Sequence, residues 1–204
     1  MSNETPVSLS WQLLNRLFSA PLDPAFVGEI LGLPVDHMVA PEVLSELLEA
    51  LEKWAGDPGI QAASQLSFQR LFLGPEAPLA PPWGSVYLTP DNTLMGPSTL
   101  AVRRAFLAYG LALENQGGEP EDHFAHCCAF LSLVTEKEGQ EGAKGFLTDH
   151  LLPWGPRFLE LVIEHAKDPV YGALARYGQA VLGAVGSDNT PGDGEDPPAP
   201  RLYL

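Results

Sequence analysis

Apolar residues recur along most of this chain at spacings of three and four, the mark of helices with one buried face. Leu9, Leu13, Leu14, Leu17 and Phe18 predict a first helix over Val7–Phe18. Asp23-Pro24 reads as a cap followed by a first-turn proline and opens a short helix to about Leu33. Ala40-Pro41 opens another, with Val43, Leu44, Leu47, Leu48, Leu51 and Trp54 as its stripe, closed by Gly56-Asp57-Pro58-Gly59. Helical texture continues over Ile60–Leu73 and resumes from Pro97 to about Gln116 before Gly117-Gly118 breaks it. Further helices are expected over Pro120–Glu138, Gly142–Leu152, Pro156–Lys167 and from Pro169 to about Val185. No hairpin-like alternation appears, with Ser85–Leu88 the one stretch that could read as a strand, and no repeat of fixed period is present.

One segment breaks the texture. Between Gly74 and Pro97 lie six prolines (Pro75, Pro78, Pro81, Pro82, Pro90 and Pro97), which excludes a helix interior. Yet the segment carries Leu79, Trp83, Val86, Tyr87, Leu88, Leu94 and Met95, and a long apolar loop in a compact domain is more often functional than not. The expected architecture is all-α: a single-domain helical bundle over residues 1–186 with one long proline-rich apolar loop. Residues 187–204 form a Gly/Asp/Pro-rich tail with no core of its own.

Composition narrows the function. Eleven Lys and Arg against 26 Asp and Glu give a formal net charge of −15. Such a field repels phosphate backbones and attracts basic partners, although acidity also serves plain solubility. Nucleic acid is therefore not an expected partner. Met1–Pro6 has no basic start followed by an apolar run, so no secretory signal is read, and no stretch is long enough to span a bilayer. Cys127 and Cys128, adjacent and without further cysteines, suit a reducing cytoplasm rather than a disulfide framework.

Candidate chemistry is sparse. Glu119-Pro120-Glu121-Asp122-His123 reads first as a helix start, with proline in the first turn and acids at the positive end of the dipole; that leaves His123 unexplained. His123, His126 and Cys127 share a helical face, but a closed metal site needs ligands from elsewhere and no second cluster is present. Hydrolase, Walker and dinucleotide-binding patterns are missing, so no catalytic residue, metal or cofactor is assigned. In Pro81–Leu88, prolines stiffen the backbone while Trp83 and Tyr87 offer wide apolar faces, either to a peptide or to the core.

Taken together, these motifs resemble the Tat-proofreading, or redox enzyme maturation, chaperones of the TorD/DmsD/NarJ type. Phe68–Pro75 resembles that family's aromatic-x-x-Leu-Phe-x-Gly-Pro stretch, Pro81–Leu88 the loop of its DmsD branch, and Glu119–His123 its Glu-Pro-x-Asp-His signature. His150–Trp154 and Arg157–Leu159 are similar as well, so the likeness spans about Val7 to Val185 and excludes the tail. The resemblance implies a cytoplasmic, non-enzymatic helical chaperone. It would bind the twin-arginine signal peptide and the apo form of a molybdenum-cofactor oxidoreductase of the dimethyl-sulfoxide-reductase type. Export or cofactor-insertion machinery are further candidate partners. The implied binding surface comprises Leu71, Phe72, Pro82, Trp83, Tyr87, Gly96, Glu119, Pro120, Asp122 and His123. Asp122 would take a signal-peptide arginine, or else tie the helix start to the loop. A helical adaptor without signal-peptide specificity is the alternative. A monomer is expected, with Gly74–Pro97 a plausible hinge for a domain-swapped dimer.

Overall fold

A computed structural model describes residues 4–74, 77–113 and 118–187. The expected tail after Ser187 lies outside the described residues. The helices are α1 (Pro6–Ser19), α2 (Pro24–Leu31), α3 (Pro41–Gly56), α4 (Pro58–Phe68), α5 (Gly84–Leu88), α6 (Pro97–Ala108), α7 (Phe124–Phe146), α8 (Gly155–His165) and α9 (Pro169–Ser187). Among the described residues there is no strand, only one isolated antiparallel bridge between Trp83 and His123. The all-α reading holds.

Local chemistry explains where the helices start. Thr5 and Ser8 form a reciprocal capping box for α1. Asp23, Asp57 and Asp168 each accept two backbone N–H bonds ahead of a proline in the first turn of α2, α4 and α9. α1 lies along α7, and α9 packs on α3 and α8. Between them sits an aromatic knot. Phe18 touches Phe124 at 4.9 Å, Phe158 at 5.4 Å and Phe72 at 5.8 Å between ring centroids, and Trp154 and Tyr171 extend it.

Several expected boundaries move, each for a physical reason. α4 passes into a π-helical turn at Gln69–Leu73, where Gly74 N–H bonds the Gln69 carbonyl at 2.7 Å. The wider turn leaves the Arg70 and Leu71 carbonyls to accept from Leu79 and Ala80, which pins the start of the proline-rich segment. α6 ends at Ala108 rather than near Gln116. Gly110 adopts φ +70°, and Leu111 N–H bonds Phe106 O while Gly110 N–H bonds Leu107 O, the paired bonds of a Schellman stop. α7 begins at Phe124 rather than Pro120, so Pro120 belongs to the turn before the helix. Ser85–Leu88, the possible strand, is part of the short helix α5. The break expected between Glu138 and Gly142 falls at Gly139, whose φ of +75° and ψ of −176° interrupt α7.

Candidate functional site

Three segments far apart in sequence meet around one carboxylate. Asp122 is 1% exposed. Its Oδ2 accepts the Ser85 N–H at 2.5 Å and the Ser98 hydroxyl at 3.3 Å, and its Oδ1 accepts the Thr99 hydroxyl at 2.9 Å. The backbone adds two bonds: Gly84 N–H to the Asp122 carbonyl at 3.0 Å and Phe124 N–H to the Pro82 carbonyl at 2.8 Å. Asp122 thus ties together the N-terminus of α5, the first turn of α6 and the turn before α7. Bonds to a charged acceptor are the stronger ones, about 1.5–3 kcal/mol net each.

The proline-rich segment is folded onto this tie. Tyr87 is fully buried, donates its hydroxyl to Pro81 O at 2.8 Å and stacks on Trp154 at 5.5 Å. Burial pushes its phenol far above the ordinary range. Gly84 lies against the Trp154 ring, where a Cβ would come within 2.7 Å of Nε1, and Gly96 is equally tight against the Thr89 methyl. Glycine at these two positions is a requirement of close approach.

His123 caps α7. Its Nδ1 accepts the Ala125 N–H at 3.1 Å, which places the neutral imidazole's proton on Nε2. Burial, aided by the nearby His126 ring, pushes its pKa down to about 3. Asp122 and His123 therefore have separate jobs, and neither orients the other as a general base would require. His126 Nδ1 lies 3.1 Å from Pro120 O. Cys127 and Cys128 are buried thiols whose pKa values burial pushes up. Among the described residues no group of three His, Cys, Asp or Glu could hold a metal ion.

Of the ten sequence candidates, Leu71, Phe72, Pro82, Tyr87, Pro120 and Asp122 are buried. Leu71 and Phe72 belong to the core, and Phe72 meets Phe18, Phe68 and Tyr171. Gly96 and His123 are half-buried. Trp83 and Glu119 reach the surface together: Trp83 Nε1–H donates to Glu119 Oε1 at 2.9 Å, and the Trp83 ring stands edge-on to His123 at 6.0 Å. The structure thus brings Pro82, Trp83, Tyr87, Gly96, Glu119, Pro120, Asp122 and His123 into one cluster and leaves Leu71 and Phe72 beneath it.

Other parts of the cluster were not read from sequence. Ser85, Ser98 and Thr99 supply the donors to Asp122, and Trp154 supports Tyr87. Leu94 and Met95, already singled out in the proline-rich segment, are exposed on the approach to α6, and Leu100 and Leu107, which were not, are exposed on α6 itself. Arg103 pairs with Glu121. The adjacent Arg103-Arg104, unusual in so acidic a chain, was a usable signal for that last pair.

Comparison with known proteins gives the family and the fold. The model of the family described as "Nitrate reductase delta subunit" matches residues 40–160, a stretch that contains the whole cluster. The chain is 41% identical over 116 residues to the Tat proofreading chaperone DmsD of Salmonella typhi, a match covering 57% of each protein. The chain therefore spans little more than half the length of that relative. It is 27% identical over 198 residues to the chaperone protein TorD of Vibrio cholerae, covering 88% of this chain and 90% of that one. A solved structure described as a redox enzyme maturation protein from Archaeoglobus fulgidus shares the fold, with a TM-score of 0.62 at 20% identity over 88% of this chain and 94% of that one. The chain belongs to the nitrate reductase delta subunit family.

Proposed function

We propose that this protein is a redox-enzyme maturation chaperone. It binds the twin-arginine signal peptide of a molybdenum-cofactor oxidoreductase and holds the apoenzyme until the cofactor is inserted. Family membership and relatives named as Tat proofreading and TorD chaperones support the class. The work is binding rather than catalysis and takes place in the cytoplasm, where such a precursor is made. No described helix is long and apolar enough to cross a membrane.

The observation that carries this reading is the cluster held by Asp122. It fixes Trp83 and Glu119 at the surface, and the segment leading into α6 and α6 itself expose Leu94, Met95 and Leu100. A signal peptide with a basic start and an apolar middle needs that combination: an aromatic and aliphatic surface with carboxylates at its edge. Of the two roles open to Asp122, the geometry favours the structural tie, since both oxygens already accept donors from this chain. Asp122 is thus a positioning residue, while Trp83 and Glu119 face the peptide. His123, Pro82, Tyr87, Gly96 and Pro120 shape the surface from below or beside it.

Calorimetric titration with a twin-arginine signal peptide, a twin-lysine version and a scrambled version tests the reading. Saturable one-site binding, weakened by scrambling and by lysine, is expected. Absence of binding to signals from several redox enzymes would overturn it and move a general helical adaptor to first place.

A further inference from the structure

If Asp122 is occupied, another carboxylate must take the guanidinium. Glu121 bonds a different side chain of α6, Arg103, and is itself buried, with a side chain 7% exposed. Both its oxygens are held by one fork: Arg103 Nε–H donates to Oε1 at 2.5 Å and Nη2–H to Oε2 at 2.9 Å. The Arg103 hydrogen bond holds the Glu121 carboxyl below the usual carboxylate range. Arg103, by contrast, is partly in water: its side chain is 42% exposed.

The pair lines a cavity of about 300 Å³ whose remaining wall is Phe106, Leu107, Leu111, Ala112 and Leu113. On the far side of Leu111–Leu113 a second apolar cavity of about 180 Å³ runs along Phe130 and Leu133 of α7. Leu107, at the mouth, is 57% exposed. A buried carboxylate needs a cation with matching geometry, and a guanidinium supplies it with two parallel bonds. The site thus pairs a buried carboxylate with one partly exposed guanidinium beside an apolar groove.

We propose that Glu121 is the arginine acceptor of the client-binding surface, and that Arg103 is an internal placeholder which a client arginine displaces. The exchange leaves the two bonds to Glu121 unchanged in kind and returns Arg103 to solvent. The incoming peptide adds its apolar residues to the groove of Leu107, Leu111 and Leu113, so the balance favours it. Lysine, a point cation without the fork, cannot replace both bonds. This inference rests on the signal-peptide reading above and specifies its recognition step.

The test uses the full chain with Arg103→Ala, Arg103→Lys and the double variant Arg103→Ala/Glu121→Gln. Removing the placeholder should tighten twin-arginine peptide binding by about tenfold, because the competent state no longer competes with a closed one. Arg103→Lys, which keeps a cation on Glu121 and guards against loss of fold, should show a smaller gain. The double variant should lose the gain and the preference for arginine over lysine. Equal or weaker binding by both folded Arg103 variants would overturn the proposal.

A separate arm adds guanidinium at low millimolar concentration, with sodium as the control, and follows the melting temperature. Guanidinium should raise it in Arg103→Ala and leave the double variant unmoved. Rescue by guanidinium with no peptide binding to any variant would overturn the client role by way of the signal-peptide reading itself. Peptide binding equal in all variants, without rescue, would sink the placeholder alone.

Discussion

Asp122 and His123 are neighbours in the chain and opposites in chemistry. The carboxylate organises three segments, so Asp122→Ala should leave the Ser85 N–H and the Thr99 hydroxyl without their partner. A loss of about 3 kcal/mol in urea denaturation is expected, and peptide affinity below the transition should weaken as well, because Trp83 and Glu119 lose the tie that positions them. For His123 the sign runs through the neutral form. The unfolded imidazole takes a proton below its ordinary 6.5, whereas the folded one resists until about 3. The unfolded state thus binds more protons in that window, and stability falls as pH drops through it, by up to ~1.4 kcal/mol per pH unit. His123→Asn keeps a capping oxygen for the Ala125 N–H and removes the titration. Its stability should be flatter than the parent's between about pH 6.5 and 4 in matched denaturation curves; an unchanged slope would place the titrating group elsewhere. Glu121 adds a lower window: its carboxyl, held down by Arg103, contributes stability that is complete above 4.5 and lost as pH falls through its folded value.

At the scale of elements, two glycines separate crowding from backbone strain. A Cβ on Gly84 would meet the buried Trp154 ring at 2.7–3.1 Å, so Gly84→Ala should displace α5 and cost about 1–3 kcal/mol by overpacking. Gly139 is the reverse case. Nothing lies within 4 Å of its added Cβ, yet its φ and ψ occupy a region open almost to glycine alone. Gly139→Ala should therefore also cost about 1–3 kcal/mol, read as a lowered melting temperature, with the surrounding packing left as it is. If Gly139→Ala were neutral, α7 would run straight through this point in solution. The π-helical turns at Gln69–Leu73 and Leu147–Leu151 act similarly. The first turns carbonyls toward the proline-rich segment, and the second precedes Trp154, on which Tyr87 rests.

Across the whole molecule, the −15 charge acts at a distance beyond the reach of any one hydrogen bond. A basic peptide approaching this surface is drawn by the summed field, which salt screens over ~8–10 Å at physiological strength. Affinity for the twin-arginine peptide should fall several-fold between low salt and half-molar salt, mostly through a slower association rate. The apolar contribution of Trp83, Leu94 and Met95 should persist. A titration series across ionic strength that showed no change would mean the acidity serves solubility alone.

Much of this was legible in the chain. The stripes of Leu9–Phe18 and Val43–Trp54, and prolines placed after Asp23 and Asp168, determined helices and their starts, because amphipathic period and capping are local; Asp57-Pro58, read as a stop, proved also to cap α4. The proline-rich break and the Glu119–His123 motif marked stretches that meet in the cluster, whereas Leu71 and Phe72 of the first motif belong to the core. Boundaries at Gly110 and Phe124 needed the hydrogen bonds of the stop and the cap, which the residue types only permit. What the tertiary structure alone decided is direction. Asp122 faces inward because Ser85, Ser98 and Thr99 arrive from 23 to 37 residues away. Tyr87 is core rather than surface because Trp154, on a distant turn, lies under it, while Trp83 reaches solvent beside Glu119. Glu121 took the guanidinium because α6 carries Arg103 past it. A sequence names the donors and acceptors; which of them meet depends on chain segments brought together by burial, and no local pattern encodes that encounter.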